Sequence, residues 1–581
     1  MKNDKFEAPA PGFSSAPPQP GHPQPELSAP GYPQPQPQPG YPQPQPGYPP
    51  QQGYPPQHGY PQPGGYPQPG YPQPGFIQQG NPPQYYGAPP GPPPPGHSYG
   101  AVPPPAAHIP PPHQQDAPTT VVPPSGGCFS RNQRNKPQSN AVAAAGLIFI
   151  SGGMNIAWCI GFRGPISYHT TLHNFIAWFI AAIIGAVISC VLALAIRVPK
   201  KYVLLFSALL VTVGGVVMGA IRDNGGAVVA ASYLDGIGNG LVFAPFMALA
   251  GEVSVPYIRG MVAASTEQLC FGIGILLQVI YTSTWTYSGY YSSSSFSAEN
   301  LKGILSAVYG LLALGLGAFL CIESPVLTLA KGDEEGAIDA LRRLQRPYTL
   351  TSDTYEQLAE HKRYLAHNKD ISTSQSIVQA LPAFLQLAYL RAMNALSISH
   401  FVLFVLLVSV ISNYGTSYSS GWLVGYGFCR WMGNFTSTFI MECVGRKKPL
   451  LLGLLVCSCL GFVIGSKYSV YYGMSGVTIM LLIFQFFAGL AFTSTSPYLT
   501  EAYPLGVKQP CIAFTFIAEM LVYIIVSSAH FNLYDGGSYF YAIGGLYLFG
   551  FIAGIFCLPE TRLTTLRGTQ QKFRKLINVG L

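Results

Sequence analysis

Residues 174–196 read NFIAWFIAAIIGAVISCVLALAI, a stretch of 23 residues without a formal charge. A helix needs about 20 mostly apolar residues to cross the hydrocarbon core of a bilayer, so this stretch is long enough. Eleven further stretches of similar character lie on either side of it. The twelve predicted spans are 141–162, 174–196, 203–221, 227–253, 261–285, 301–322, 384–411, 418–443, 449–466, 477–499, 510–531 and 539–558. Twelve such runs predict an all-α, multi-pass membrane protein in contact with the lipid bilayer.

The chain consists of two regions with different compositions. Only 9% of the 581 residues are charged, against about 25% in soluble globular proteins. Of the 55 prolines, 43 lie in residues 1–140, which we predict to be a disordered Pro/Gln/Tyr/Gly-rich tail because it lacks core-forming side chains. The basic residues are scattered through short loops. The net charge of +8 therefore does not indicate a nucleic-acid partner.

The tail contains one PPxY sequence, formed by Pro82, Pro83, Gln84 and Tyr85. Such sequences resemble the ligands of WW domains, whose aromatic grooves accept polyproline II segments. Two interpretations stay open, an inert repeat-rich linker and a recognition tail that binds a WW-domain protein.

Lys and Arg are distributed unequally between the two sides of the predicted membrane. The segments on the side of the tail hold 23 of these residues and the opposite loops hold four. Such a bias places the basic side in the cytosol. We therefore predict that both termini and the central loop are cytosolic, in a protein of the plasma membrane.

Six spans, a long loop and six more spans form two pseudo-repeated halves. This layout is typical of transporters that move two bundles around a site near the midplane. The predicted domains are the tail 1–140, a first six-helix bundle 141–325, a central loop with short helices 326–383, a second six-helix bundle 384–558 and a C-terminal tail 559–581. Within the loop, Asp333 is placed to cap a short helix.

Short motifs lie at five of the span junctions. They are Glu323-Ser324-Pro325, Glu442-Cys443-Val444-Gly445-Arg446-Lys447-Lys448, Glu501-Ala502-Tyr503-Pro504, Pro559-Glu560-Thr561 and the stretch from Glu252 to Arg259-Gly260. Together they resemble the signatures of the sugar-porter branch of the major facilitator superfamily, and insect trehalose-transporter-like members are the most similar. The resemblance implies a major facilitator fold and a secondary transporter, facilitative or proton-coupled, that moves a sugar or another small polar solute by alternating access.

The resemblance also implies a set of gate charges. They are Glu252, Arg259, Glu442, Arg446, Glu501 and Lys508. We expect the first two to lie together in the first bundle and the other four in the second, at a water-exposed face where an ion pair contributes about 0–1 kcal/mol. The alternative is that they are solvated helix-end charges. In the turn after the second span, Ile196 and Pro199 replace the family's acid and glycine. The ion pairs that hold the gate closed in the first half should therefore be weaker or different.

The sugar-binding residues of the family are matched less completely. The positions in this sequence that correspond to them are Gln268, Asn394, Ser397, His400 and Ser496. At 100° per residue, Asn394, Ser397 and His400 fall within a wedge of about 120° on one helix, and amide and hydroxyl groups suit a sugar's hydroxyls. Ser496 stands where the family has a ring-stacking tryptophan, so that aromatic group is missing there.

Glu519 and Asp235 lie inside predicted spans, and an acid at the centre of a bilayer costs about 2.5–3.5 kcal/mol on insertion scales. Glu519 is either a proton- or cation-coupling carboxylate or a structural partner of Arg430 or His400. We expect it to line one central cavity with the other candidate binding residues. Asp235, beside Gly236, Gly238 and Gly240, is expected to satisfy a neighbouring helix at a close packing contact.

The sequence contains no metal-ligand spacing, phosphate-binding loop or nucleophile motif. We therefore predict no enzyme, no cofactor and no metal site, and a small polar solute as the main partner. An alternative from another class is a non-transporting membrane sensor or scaffold that works through its tail. The altered polar site favours that alternative, and the junction charges favour transport.

The charge bias predicts which segments face the cytosol. Cysteines introduced into 1–140 or 326–383 should not react with an impermeant maleimide added to intact cells, and should react after the membrane is permeabilised. A cysteine placed at Ser294, in the 286–300 loop predicted to face outward, is the positive control. Labelling of either segment in intact cells would overturn this topology.

Overall fold

The computed structural model describes residues 119–575 except 124–127, 165, 167, 197, 222, 289–295, 416–419, 470–473, 531 and 533. Most of the predicted tail lies outside the described residues, and so do Pro82, Pro83 and Tyr85. Its last part is helical from Cys128 to Arg134 and again from Lys136, so the predicted disorder does not extend to residue 140. The described residues form helices and one isolated β-bridge, between Thr120 and Thr564, with no β-strand. The predicted all-α class is confirmed.

The first half contains six membrane-length helical segments, preceded by a short helix. Its elements are α1 (Cys128–Arg134), α2 (Lys136–Ile160), α3 (Leu172–Val191), α4 (Lys200–Ala220), α5 (Gly225–Val253), α6 (Arg259–Ala264), α7 (Cys270–Ser288) and α8 (Ala298–Leu320). A π-helical turn, Leu192–Ile196, extends α3, and another, Ser265–Leu269, joins α6 to α7 into one span.

Three short helices separate this half from the second one. They are α9 (Pro325–Ala330), α10 (Glu334–Arg343) and α11 (Ser352–Lys369). The second half contains α12 (Thr373–Ser397), α13 (His400–Tyr414), α14 (Gly421–Val444), α15 (Lys447–Ser469), α16 (Val477–Thr493), α17 (Thr495–Glu501), α18 (Lys508–Ser528) and α19 (Asp535–Cys557), and α20 (Leu566–Phe573) follows it. A 3₁₀ turn, Leu505–Val507, precedes α18.

Twelve transmembrane segments result, because α6 with α7, α12 with α13, and α16 with α17 each form one span. Eleven segments among the described residues are long and apolar enough to cross a membrane. The twelfth, α14, has 24 residues but is more polar, since Arg430 and Asn434 lie on its buried face.

Two local predictions can be compared with the structure. Asp333 caps α10, and its Oδ1 accepts a hydrogen bond of 2.8 Å from the Gly336 amide, as predicted. The seventh span, in contrast, begins at Thr373 rather than at 384, because Ser372 and Gln375 form a capping box at its start. The hydrophobic run alone did not contain this polar first turn.

Glycines bring α3 and α5 into close contact. A Cβ atom at Gly240 would lie 2.0 Å from the Ala182 carbonyl oxygen, and one at Gly236 would lie 2.6 Å from that of Trp178. The predicted close packing around Asp235 is therefore confirmed. Between the halves, α3 packs on α18, α7 on α14 and α5 on α17, so residues on these helices can form a shared site.

Candidate transport site and gate

A small cavity lies between the two halves. It is lined by Ile156, Gln268, Phe271, Gly272, Ile275, Arg391, Asn394, Ile398, Arg430, Asn434, Phe516, Glu519, Met520 and Tyr523. Its volume is about 20 Å³, which is close to the space of one water molecule. The halves are therefore closed around the cavity, and a sugar-sized solute requires it to widen.

The π-helical turn Ser265–Leu269 places two adjacent polar residues at this interface. Glu267 and Gln268 are both buried, and Gln268 Nε2 donates to Glu267 Oε1 at 3.0 Å. The Thr266 hydroxyl donates to the Val262 carbonyl at 2.8 Å, a back-bond that competes with regular helix bonding. Single π turns of this kind frequently occur at functional sites.

A break between α12 and α13 shapes the opposite wall. The freed carbonyls need donors, because lipid offers none. Gln485 Nε2 donates to the Ser397 carbonyl at 2.7 Å, and the Tyr539 hydroxyl donates to that of Leu396 at 2.7 Å. Side chains of neighbouring helices thus stabilise the break beside the cavity.

Arg391 is the centre of a buried ion-pair network. It pairs with Glu267 of the first half and, through Nε, with Glu519 Oε2 at 2.9 Å. Asn394 Nδ2 donates to Glu519 Oε1 at 2.6 Å. The expected structural partners of Glu519 are wrong, since Arg430 instead donates to Ser397 Oγ at 2.8 Å and to Asn394.

Sequence reasoning missed both Arg391 and Glu267. A signal was available, because Arg391 is a cation inside a predicted span and must have a buried partner. Its partners could not be named, since Glu267 is more than 100 positions away and belongs to the other half.

The structure brings three of the candidate binding residues together. Gln268, Asn394 and Glu519 line the cavity, and Ser397 lies behind Arg430. His400 begins α13 on the far side of the helix break and does not line the cavity. The prediction that Asn394, Ser397 and His400 share one helix face assumed an unbroken helix. The helix is interrupted at Ser399, which has an extended backbone with φ −95° and ψ 165°.

Two other candidates have different surroundings. Ser496 is buried within α17, outside the cavity lining. Asp235 accepts hydrogen bonds from Trp178 Nε1 at 2.7 Å, from Asn239 Nδ2 at 2.9 Å and from Ser151. It thus satisfies neighbouring helices, as expected.

Aromatic rings line the cavity at positions that the sequence did not mark. Phe516 stacks on Phe243 with ring centroids 4.1 Å apart, and Tyr523 stacks on Phe179 at 4.8 Å. The aromatic surface missing at Ser496 is therefore present on α18. Aromatic residues within an apolar run carry no signal that separates a cavity wall from ordinary packing.

Two acids form ion pairs at one end of the helix bundle. We call this end, which carries α9–α11 and α20, the loop end. Glu501 pairs with Arg259 of the first half at 3.4 Å and with Arg446 of the second half. Glu252 pairs with Lys200 at 2.7 Å and with Lys508 across the interface at 3.5 Å.

The predicted grouping within each half holds for Glu442, Arg446 and Glu501, but Arg259 and Lys508 each pair with an acid of the other half. The expected water-exposed setting is wrong, since both acids and their four partners are buried. Removing one partner of a buried pair typically costs about 3–5 kcal/mol, far more than at a surface. Sequence position showed that the charges lie at helix ends, but not that the two halves enclose them.

Glu442 is the third acid at the loop end. Its Oε1 accepts a hydrogen bond of 3.0 Å from the Met261 amide of the first half and lies 4.0 Å from Arg446 Nη2. The ion pair within the first half is formed by Glu252 and Lys200, and Lys200 follows Ile196 and Pro199, the two residues that differ from the family pattern. The gate pairing of this half is thus different, because Glu252 pairs with lysines.

A second and larger cavity opens beside these pairs. It has a volume of about 270 Å³, and Glu252, Arg259 and His361 are among its lining residues. His361 lies on α11 and shares the lining of this cavity with Arg259 and Glu252. Burial, and next the charge of Arg259, lowers the pKa of His361 to about 4.

Comparison with known proteins supplies the family. A family model described as sugar (and other) transporter matches residues 133–573. The chain belongs to this family. It is a secondary transporter of a sugar or another small polar solute, not an enzyme. Comparison with curated protein sequences finds no match.

Solved structures share the fold. The proton:xylose symporter XylE bound to 6-bromo-6-deoxy-D-glucose has a TM-score of 0.61 at 18% identity, covering 76% of this chain and 99% of that one. The xylose transporter XylE from E. coli in a partially occluded inward-open conformation has a TM-score of 0.56 at 16% identity, covering 74% and 98%. These matches establish the major facilitator fold of two six-helix bundles.

His361 should make the stability of the protein depend on pH. The folded protein resists protonation of His361 down to about pH 4, whereas the unfolded chain binds that proton near pH 6.5. Stability should therefore fall as pH decreases from about 6.5 toward 4, by at most about 2 kcal/mol at pH 5. Thermal unfolding of the full chain in nanodiscs measures this loss.

The matched variants are His361→Gln and His173→Gln, because His173 is exposed. His361→Gln should lose part of the acid-induced decrease in Tm, and His173→Gln should keep all of it. Equal pH profiles for wild type and His361→Gln would contradict the assignment.

Proposed function

We propose that this protein is a proton-coupled transporter of a sugar, with its solute site at the central cavity and its inner gate at the loop end. The observation that carries the proposal is the Glu267–Arg391–Glu519 network, which joins the two halves beside Gln268 and Asn394. One structural neighbour is named a proton:xylose symporter, which supports a coupled sugar transporter. The described residues and the family match give no support to the sensor or scaffold alternative.

Binding would use amides and aromatic rings. Gln268 and Asn394 can both donate to and accept from sugar hydroxyls, while Phe271, Phe516 and Tyr523 offer apolar faces to the ring. Ser397 supports the site through Arg430. His400 and Ser496 would act only in a state in which the helix break or α17 has moved, since neither lines the closed cavity.

Coupling would use the position of Asn394. Its amide group now donates to Glu519, so a solute hydroxyl that takes this donor leaves the carboxylate with Arg391 alone. When Glu519 is protonated, Arg391 keeps Glu267 as its only anionic partner, and the contact between the halves becomes stronger. Solute and proton would thus act on the same inter-half contact, as population-shift coupling requires.

Alternating access would open the loop end. Glu252, Arg259, Glu442, Arg446, Glu501 and Lys508 would hold it closed, and separation of the halves would break the pairs that cross between them. The bias of 23 to four basic residues supports a cytosolic loop end and cytosolic termini in a plasma-membrane protein. The PPxY residues Pro82, Pro83 and Tyr85 support a WW-domain partner for the tail, and the junction motifs support an insect trehalose-transporter-like member.

Uptake into liposomes that contain the purified protein tests this function, across hexoses, pentoses, disaccharides and polyols. For a transported solute, Gln268→Ala should weaken binding roughly 5- to 150-fold, because one buried hydrogen-bond partner is lost. Gln278→Ala is the matched control, since Gln278 is buried on the same helix but donates to the Phe162 carbonyl, away from the cavity. Absence of uptake for every solute would refute the function, and equal affinity in both variants would refute the site.

Glu519→Gln keeps the shape of the side chain and removes its charge. We expect uptake to lose its dependence on the pH gradient, while exchange of labelled solute across the membrane continues. Asp235→Asn is the matched control, because it is a second buried acid that three donors already satisfy. If Glu519→Gln lowers only the amount of folded protein and the remainder still responds to pH, Glu519 is a structural partner and not the coupling group.

A further inference from the structure

The last residues of the N-terminal tail contact the C-terminal segment at the loop end. The Val121 amide donates to the Leu563 carbonyl at 2.8 Å, and the Thr565 amide donates to the Thr119 carbonyl at 2.8 Å. A Cβ atom at Gly568, in the first turn of α20, would lie 2.7 Å from Thr119 Cβ. Residues 119–121 are therefore seated closely against the segment 563–568, and we call them the strap.

The strap holds a strained turn. Leu563 has a φ of 57°, in the left-handed region that residues other than glycine seldom adopt. The two strap hydrogen bonds involve Leu563 and Thr565, on either side of Thr564. The bonds thus fix the turn in a conformation that Leu563 would not adopt on its own.

This turn belongs to the gate. The Thr564 carbonyl accepts a hydrogen bond of 3.2 Å from Arg259 Nη1, the same nitrogen that pairs with Glu501. Val121, Thr565 and Leu566 line the larger cavity beside Glu252 and Arg259. The strap therefore lies directly over the contacts that join the two halves.

The tail is also fixed to the first half and to the central loop, just after the strap. Arg134 pairs with Asp353 of α11 at 2.8 Å, and Asn135 Nδ2 donates to the Tyr257 hydroxyl at 3.1 Å. The Val255 amide donates to Gln138 Oε1 at 2.9 Å. Residues between 119 and 138 thus contact the C-terminal segment, the central loop and the first half.

We propose that the strap is an intramolecular latch: residues 119–121 dock on 563–565, hold Leu563 in its strained turn, and thereby stabilise the closed loop end. Removal of the strap lets the turn relax, and Arg259 then loses the Thr564 carbonyl. A partner that pulls on the tail would release the latch and favour opening. The proposal rests on alternating access but not on the identity of the solute.

Accessibility of the closed interface measures the latch. Thr500 is buried on α17, where a Cβ atom at Gly251 of α5 would lie 2.5 Å from its carbonyl oxygen. Thr500→Cys in the full chain should react with a maleimide only while the loop end is open. The reaction is run in nanodiscs without solute, and mass spectrometry of the peptide that contains residue 500 gives its rate.

Val121→Pro removes one strap hydrogen bond, and Val122→Pro is its control. Val122 is exposed and makes no backbone hydrogen bond to another described residue. Loss of one net hydrogen bond should speed labelling roughly 2- to 12-fold in Val121→Pro, with no change in Val122→Pro. Wild-type rates in Val121→Pro, or equal acceleration in both variants, would overturn the latch.

Two further comparisons remove ambiguity. A chain lacking residues 1–117 keeps the strap and should label like wild type, whereas one lacking 1–122 loses both strap hydrogen bonds and should label at least as fast as Val121→Pro. Leu563→Gly should relax the strain, because glycine adopts a positive φ readily, and the added effect of Val121→Pro should then decrease. A full effect of Val121→Pro in Leu563→Gly would show that the strained turn plays no part. Because labelling needs no solute, it can succeed or fail independently of the uptake assay.

Discussion

Glu501 is one carboxylate that holds arginines from both halves of the protein. Arg259 reaches it from the first half and Arg446 from the second, and all three side chains are buried. A buried acid with one arginine removed would face a large desolvation cost, so the two halves can meet at the loop end only when both arginines are in place. This contact closes access to the central cavity from the loop end.

The bilayer imposes a second constraint on the same region. Wherever a helix is interrupted, its free carbonyl groups need donors from the protein. At the break after Ser397 these donors are Gln485 of α16 and Tyr539 and Tyr547 of α19, all in the second half. The break that shapes the cavity therefore depends on packing within one half, whereas the gate depends on packing between halves.

The sequence predicted the features that depend on local composition. Twelve apolar runs were enough for the twelve spans, and the glycines around Asp235 were enough for a close helix contact, because both follow from length and side-chain size alone. Partners of charged residues could not be predicted in this way. Glu519 pairs with Arg391 of a distant helix in the same half, and Glu252 pairs with Lys508 from the other half. Such choices depend on how helices that are far apart in sequence pack together. The helix break at Ser399 was also missed, since Ile398, Ser399 and His400 fit a continuous helix by propensity.

The gate and the cavity are joined by α17. This helix has seven residues, so its ends are about 10 Å apart at 1.5 Å per residue. Thr495 at its first turn accepts a hydrogen bond of 3.3 Å from Arg391, and Glu501 at its last turn holds the gate arginines. Because the chain is interrupted at Ser494, between α16 and α17, this short helix can shift without moving the rest of its span. Arg391 at the cavity therefore has a direct connection through α17 to Glu501 at the gate, the kind of contiguous contact through which two sites can be coupled.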